Sequence, residues 1–174
     1  MVSRKIHQPV KYMKILITGI LGYIGRSLCE LYENSKHEII GIDKEFDAGK
    51  VAWLTERKIK YYHRDLFNCR DLLEDVDICY HLASETAVPT VKEQATPEID
   101  AKILRVGREG TKEIIDNLPN KCKIIFASTH VVFEKTDVRS YNSITLNEND
   151  NTWPNLAYSK SKCMSEIDLK LSKK

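Results

Sequence analysis

Short apolar runs alternate with amphipathic stretches along the chain, beginning with Lys14-Ile15-Leu16-Ile17-Thr18. The runs predict strands at Lys14–Thr18, Glu38–Asp43, Ile59–His63, Ile78–His81 and Lys123–Ser128. Their continuous apolar character suits strands covered on both faces. Between them the spacing becomes helical: Ile24, Leu28, Leu31 and Tyr32 recur after the first run. A longer helix is expected after Pro97, with Ile99, Ile103, Val106, Gly110, Ile114 and Leu118 on one stripe. Residues 44–57 and 66–76 supply two shorter crossovers, and a last helix runs from Pro154 or Asn155 to about Leu171. Residues 134–153, rich in Asn, Asp, Ser and Thr, read as a surface loop. This alternation predicts the α/β class, a Rossmann-like doubly wound parallel sheet of about five strands in a single domain. Residues 1–12 are polar and are expected to be a disordered or loosely attached extension, so the domain spans 13–174. A full dinucleotide-binding sheet has six strands in the order 3-2-1-4-5-6, and this chain is expected to stop before the sixth.

The turn after the first run is Thr18-Gly19-Ile20-Leu21-Gly22-Tyr23-Ile24-Gly25. Strand, glycine turn and helix in that order are what a dinucleotide pyrophosphate requires. Gly19 permits the tight turn, Gly22 clears the backbone's approach to phosphate, and Gly25 lets the helix pack closely on the strand. The anion would rest on free N–H groups at the helix start, where Tyr23 and Ile24 stand. An ordinary glycine-rich turn is the competing reading. The second run ends in Asp43, close to the offset at which a carboxylate binds the adenosine ribose hydroxyls. Such a group repels a 2′-phosphate and favours NAD, while the adjacent Lys44 keeps NADP from being excluded. Asp43 could instead simply open the next turn.

The chain has 174 residues, enough for one domain with a sizeable core. Lys and Arg number 27 against 25 Asp and Glu, a formal charge of +2, so no global field argues for a nucleic-acid or membrane partner. The five cysteines (Cys29, Cys69, Cys79, Cys122 and Cys163) form no C-x-x-C pair, and no His cluster has ligand spacing, so no metal site is expected. They read as reduced thiols of a cytoplasmic protein. No run approaches membrane-spanning length and no signal-peptide core precedes the first strand.

Candidate chemistry lies late in the chain, in Tyr158-Ser159-Lys160-Ser161-Lys162. Tyr and Lys four apart share a helical face, so the ammonium can favour the phenolate. A phenol tuned downward from about 10 can take a hydroxyl proton while hydride leaves the same carbon. Tyr32 and Lys36 show the same interval, and only position separates the two pairs. Tyr158 follows the fifth strand, whose C-terminal end opens on the same side as the glycine turn. Thr129, just past that strand, could hold the reacting oxygen or could be a turn hydroxyl. His130 reads as a solvent-facing loop residue.

Taken together these residues resemble the extended short-chain dehydrogenase/reductase family, and within it the NAD-dependent epimerase/dehydratase group that acts on nucleotide sugars. The resemblance covers roughly residues 13–171. It rests on Thr18-Gly-x-x-Gly-x-x-Gly25, Asp43, Arg64-Asp65-Leu66, His81-Leu82-Ala83, Ser128-Thr129 and Tyr158-Ser-Lys-Ser-Lys162 with Glu166 one turn on. It implies that Asp65 and Leu66 contact the adenine and that Leu82, Ala83 and Ser84 line the cofactor. It also implies Tyr158 as base, Lys162 on the nicotinamide ribose, and Thr129 on the sugar hydroxyl. A plain turn for Asp65 and a packed core histidine for His81 are the alternatives. His130 and Val131 stand where relatives that eliminate or decarboxylate carry an acidic group, so epimerisation through a 4-keto sugar, or simple oxidation and reduction, fits better than dehydration. Val132-Phe133-Glu134 replaces a usual Val-Tyr-Gly, and Gly107 replaces a usual asparagine. The resemblance further implies a substrate domain absent from this chain, a UDP-sugar or similar nucleotide-sugar substrate, and a homodimer through helices 97–118 and 154–171. The expected function is therefore the NAD-binding domain of a nucleotide-sugar epimerase-like protein, weak or inactive alone. A non-catalytic NAD-binding or interaction module that keeps the fold is the alternative.

Overall fold

The computed structural model describes residues 12–85, 88–89, 94–133, 145–172 and 174. The N-terminal extension up to residue 11 and the loop over 134–144, Glu134 included, lie outside the described residues. Five strands, β1 (Lys14–Thr18), β2 (Glu38–Asp43), β3 (Lys60–His63), β4 (Ile78–His81) and β5 (Lys123–Phe126), form one parallel sheet in the order β3-β2-β1-β4-β5. The expected strands are all present. β3 starts one residue later than predicted and β5 ends two residues earlier. After β1 the chain builds outward to β2 and β3, then returns to the other side of β1 for β4 and β5. That reversal leaves a crevice beyond the strand ends between β1 and β4, where ligands of such sheets bind.

One apolar cluster joins Leu16, Ile40 and Ile42 to Leu66, Leu73, Cys79, Ile114 and Leu118. On the opposite face Ile15, Ile17 and Ile39 pack with Cys29, Leu54 and Ile59. Coverage on both faces therefore holds for β1 and β2. It fails at β5, where Ile125 is 40% exposed. Among the described residues β5 pairs with β4 alone, so this strand is an edge.

Helix α1 (Tyr23–Tyr32) buries a different stripe from the one its apolar spacing predicts. Gly25 and Cys29 face the sheet, with Leu28 and Tyr32 partly covered, while Ile24 is 56% and Leu31 74% exposed. Close approach decides the face. A Cβ on Gly25 would lie 2.7 Å from Gly19 O and Ile20 Cα, so only glycine can occupy that contact. The following helix, α2 (Ala48–Glu56), is capped by Asp47, whose carboxylate accepts from Lys50 N. The 66–76 crossover is not a helix but two 3₁₀ turns, Leu66–Asn68 and Arg70–Leu72.

The long helix after Pro97 is interrupted. α3 (Pro97–Leu104) passes into a π turn at Arg105–Gly110 and continues as α4 (Thr111–Asn117). Thr96 caps its start by accepting from Ile99 N, with Pro97 in the first turn where its missing N–H is not needed. Of the predicted stripe, Ile103, Gly110, Ile114 and Leu118 are buried and Val106 is partly so, whereas Ile99 is exposed; Gly107 and Thr111 are buried as well. The last helix, α5 (Ala157–Ser172), packs across α3 and the π turn.

That crossing is tight at one point. A Cβ on Gly107 would meet Ser161 Oγ at 2.6 Å and Ser161 Cβ at 3.0 Å. Gly107→Ala is therefore expected to destabilise the fold by about 1–3 kcal/mol through overpacking, although alanine is the better helix former. Adding Ser161→Gly should recover part of that loss. Urea midpoints of the single and double variants check this, and a stabilised Gly107→Ala would contradict the crossing.

Candidate dinucleotide cleft and phenol–lysine pair

The turn after β1 needs a backbone that side-chain-bearing residues rarely adopt. Gly19 has φ +71°, and its N–H donates to Ile42 O at 2.8 Å. A Cβ there would also press on Ala83 N at 3.0 Å, at the end of β4. Gly22 precedes α1 and supplies no side-chain cap, so no side chain takes the N–H groups of the helix's first turn. Tyr23 and Ile24, which open that helix, are exposed. An anion would find both the unused donors and the positive end of the helix dipole.

A cleft of about 310 Å³ opens over this turn. Of the site residues expected from the sequence, Gly19, Gly22, Asp43, Asp65, Leu66, Leu82, Ala83 and Ser84 line it, and Tyr23, Ile24, Gly25, Thr129, Tyr158 and Lys162 do not. Asp43 does two jobs there. One carboxylate oxygen accepts from Leu21 N at 3.1 Å, fixing the glycine turn, and the other accepts from Glu45 N at 3.1 Å. It thus opens the next turn while standing on the cleft wall. Asp65 accepts from Phe67 N and caps the first 3₁₀ turn. Leu66 is buried against Gly110, where a Cβ would come within 2.8 Å of it. Sequence reasoning missed Lys50, Val106 and Glu85 as lining residues. Lys50 donates to Leu21 O at 2.9 Å across the mouth of α2, a contact with no local sequence signal.

Beneath the cleft a hydrogen-bond relay runs through His81, which is fully buried. Its Nε2 lies 2.9 Å from Thr111 Oγ1, and that hydroxyl donates to Gly107 O at 2.6 Å. Thr111 has one proton and it is committed, so His81 Nε2–H must donate. Nδ1 then accepts from the Thr18 hydroxyl at 2.7 Å. Thr18 Oγ1 in turn accepts from Leu82 N at 3.1 Å and Ala83 N at 3.0 Å. Gly107 O takes a second hydroxyl, from Ser165 of α5, at 2.8 Å. Burial, reinforced by the nearby Lys162 ammonium, pushes the imidazole pKa down to about 3. Of the two readings of His81, the packed core histidine is the one realised, with both ring nitrogens engaged.

The phenol–lysine pair stands at the C-terminal end of β5. Lys162 is only 2% exposed, and its Nζ donates to Ala127 O at 2.8 Å. The ammonium lies 4.6 Å from the Phe126 ring centre and 5.8 Å from that of Tyr158. Desolvation lowers its pKa to about 8. The sequence spacing thus does bring Lys162 against the Tyr158 ring, while Lys36 makes no comparable contact with Tyr32, which pairs with Tyr80 at 2.7 Å. Thr129 accepts from Val131 N at 3.4 Å and opens the 3₁₀ turn His130–Phe133, with His130 exposed. Its side lies on a second cavity, of about 810 Å³, shared with Glu166 and Lys170. Ser128 is hydrogen-bonded to Glu166 there. Among the described residues no group of three or more His, Cys, Asp or Glu could hold a metal ion. None of their helices is long and apolar enough to cross a membrane.

A doubly wound parallel sheet, a glycine turn opening onto a cleft, and an acid at the end of β2 define a dinucleotide-binding class of domain. Residues 15–173 match the model of the NAD dependent epimerase/dehydratase family, and the chain belongs to that family. It is 27% identical over 165 residues to the UDP-glucose 4-epimerase of Mycoplasma genitalium, covering 90% of this chain and 47% of that one. A CDP-paratose 2-epimerase of Salmonella typhi is 27% identical over 139 residues, 75% of this chain and 40% of that protein. The solved UDP-Glc/GlcNAc 4-epimerase of Campylobacter jejuni superposes with a TM-score of 0.78 at 24% identity, over 92% of this chain and 49% of that one. The chain spans 28% to 47% of the length of the curated relatives it matches.

The relay makes a pH prediction. His81 is held near 3 in the fold and titrates near 6.5 when unfolded, so the unfolded chain binds more protons between those values. Stability should fall as pH drops from about 6.5 toward 3, by up to ~1.4 kcal/mol per pH unit from this group. Urea midpoints between pH 4 and 7 should lose one proton's worth of slope in a His81→Gln variant. An unchanged slope would mean the imidazole is not buried neutral.

Proposed function

We propose that the chain is the cofactor-binding portion of an NAD-dependent nucleotide-sugar epimerase, with Tyr158 as base and little or no turnover by itself. The carrying observation is the buried Lys162 ammonium against Tyr158, at the strand ends on the glycine-turn side of the sheet. The residues fit the cofactor: a cleft that a Cβ at Gly19 would crowd, uncapped N–H groups at α1, and the Asp43 carboxylate on the wall. NAD, when bound, supplies a hydride acceptor and donor. Gly19, Gly22 and the first turn of α1, with Tyr23 and Ile24, hold the diphosphate. Asp43 takes the ribose hydroxyls. Asp65 and Leu66 meet the adenine, and Leu82, Ala83 and Ser84 line the groove.

Tyr158 removes the sugar hydroxyl proton, and Lys162 favours the phenolate while contacting the nicotinamide ribose. Its lowered pKa does not remove that role, since a large share of the ammonium persists near neutral pH and an anionic neighbour raises it again. Thr129 positions the reacting oxygen. A UDP-sugar is the proposed substrate class, supported by the names of relatives such as the Bacillus cereus UDP-glucuronic acid 4-epimerase solved with UDP-glucuronic acid and NAD, 25% identical with a TM-score of 0.73. Free thiols at all five cysteines suit a cytoplasmic setting. The α3 and α5 surface, which leaves Ile99, Ile167 and Leu171 exposed, is the proposed homodimer face.

Calorimetry with NAD tests the reading directly. Binding should be detected at millimolar NAD, and Tyr158→Phe should keep the Kd within about threefold, since the phenol oxygen adds at most about one hydrogen bond. Lys162→Met should weaken it about tenfold through loss of a charge-assisted contact. No heat of association with the unaltered chain would overturn the proposal. Incubation with NAD and a UDP-sugar should give at most slow formation of reduced cofactor, and Tyr158→Phe should abolish it. Light scattering that reports a single-chain mass at micromolar concentration would count against the dimer.

A further inference from the structure

Lys44 sits beside Asp43 on the cleft wall, where a free ammonium would attract a phosphate on the ribose 2′ position. It is not free. Its Nζ donates to Glu85 Oε2 at 3.4 Å, and Lys102 of α3 donates to the same oxygen at 2.9 Å. Lys44 follows β2 and Glu85 follows β4, with β1 lying between those strands. The pair therefore spans the cleft over the glycine turn, and both residues line it. The Glu85 side chain is 12% exposed against 38% for Lys44 and 62% for Lys102, so the carboxylate is the fixed member. Burial alone would raise its pKa, but the two ammonium groups outweigh that and hold it below the usual carboxylate range.

We propose that Glu85 is a specificity-determining residue that sets NAD over NADP by engaging the Lys44 ammonium. This deepens the NAD reading and rests on it. A 2′-phosphate brings close to two negative charges at neutral pH. Beside it would stand Asp43, Glu45 and Glu85 on the cleft wall, against Lys44 paired to Glu85, Lys50 donating to Leu21 O, and Arg64. NAD brings only a hydroxyl there, which Asp43 can accept from. The ammonium directly after Asp43 is thus engaged by Glu85 instead of standing free for a phosphate. Pairing, not the identity of the residue at 44, decides the preference.

The test is calorimetry of NAD and NADP, each titrated into the full chain. The ratio of Kd for NADP to Kd for NAD should exceed one in the unaltered protein and fall about tenfold in Glu85→Gln, which keeps the shape and removes the charge. Adding Lys44→Met to Glu85→Gln should restore most of the original ratio, because the released ammonium is what captures phosphate. Lys102→Met should not lower the ratio, since Glu85 then has Lys44 as its sole ammonium partner among those described. An unchanged ratio in Glu85→Gln, with NAD still bound, overturns this proposal alone. An equal fall in the Glu85→Gln, Lys44→Met chain also overturns it, since the carboxylate's field would then act without Lys44. Failure of the unaltered chain to bind either dinucleotide overturns the NAD reading, and this inference with it.

Discussion

A neutral imidazole beneath the cleft holds together the parts that meet there. Thr18 ends β1, His81 ends β4, Thr111 begins α4, and Ser165 reaches in from α5 to the same Gly107 carbonyl. Every donor in this buried relay has an acceptor, which is the condition under which a polar network rigidifies a core instead of weakening it. The Thr18 oxygen also receives Leu82 and Ala83 N–H, so the relay sets the backbone that walls the cleft. A proton on Nδ1 would face a hydroxyl whose oxygen already takes two backbone donors. The network tolerates one protonation state, and burial selects it.

Within the π turn the Gly107 carbonyl accepts two side-chain hydroxyls, from Thr111 and Ser165. Glycine at 107 then admits Ser161 at a distance no Cβ would allow. The asparagine that the resemblance leads one to expect at this position would not fit with α5 so close. The polar contacts at this point are instead the Thr111 and Ser165 hydroxyls on the Gly107 carbonyl.

Lys162 shows the opposite electrostatic logic. Its ammonium is buried at a cost, relieved among the described residues by Ala127 O and by the faces of Phe126 and Tyr158. A group held in so poorly compensated a place usually serves chemistry, not folding. On the cleft wall, Lys44 is more exposed and has the Glu85 carboxylate as a partner. The two lysines differ in pairing, and the difference matches the roles proposed for them: one poised to meet an anionic or phenolic group, the other prevented from doing so.

The strand positions, the parallel order and the glycine turn were legible because each depends on local chemistry: apolar runs, φ freedom at Gly19, and an acid at a fixed offset. The Tyr158–Lys162 contact was legible too, since four residues of helix set it. Other features were not. The buried face of α1 depends on how near Gly25 comes to Gly19 and Ile20, which outweighs the larger apolar surface of Ile24 and Leu31. The crossover after β3 closed as 3₁₀ turns, the first capped by Asp65. Glu85 carried no motif; its meaning comes from a lysine on another strand and a second on a helix. By itself the sequence determined what repeats or turns within a few residues, because those energies are local. The tertiary structure alone decided which side chains share a buried oxygen, because that depends on distances between elements far apart along the chain.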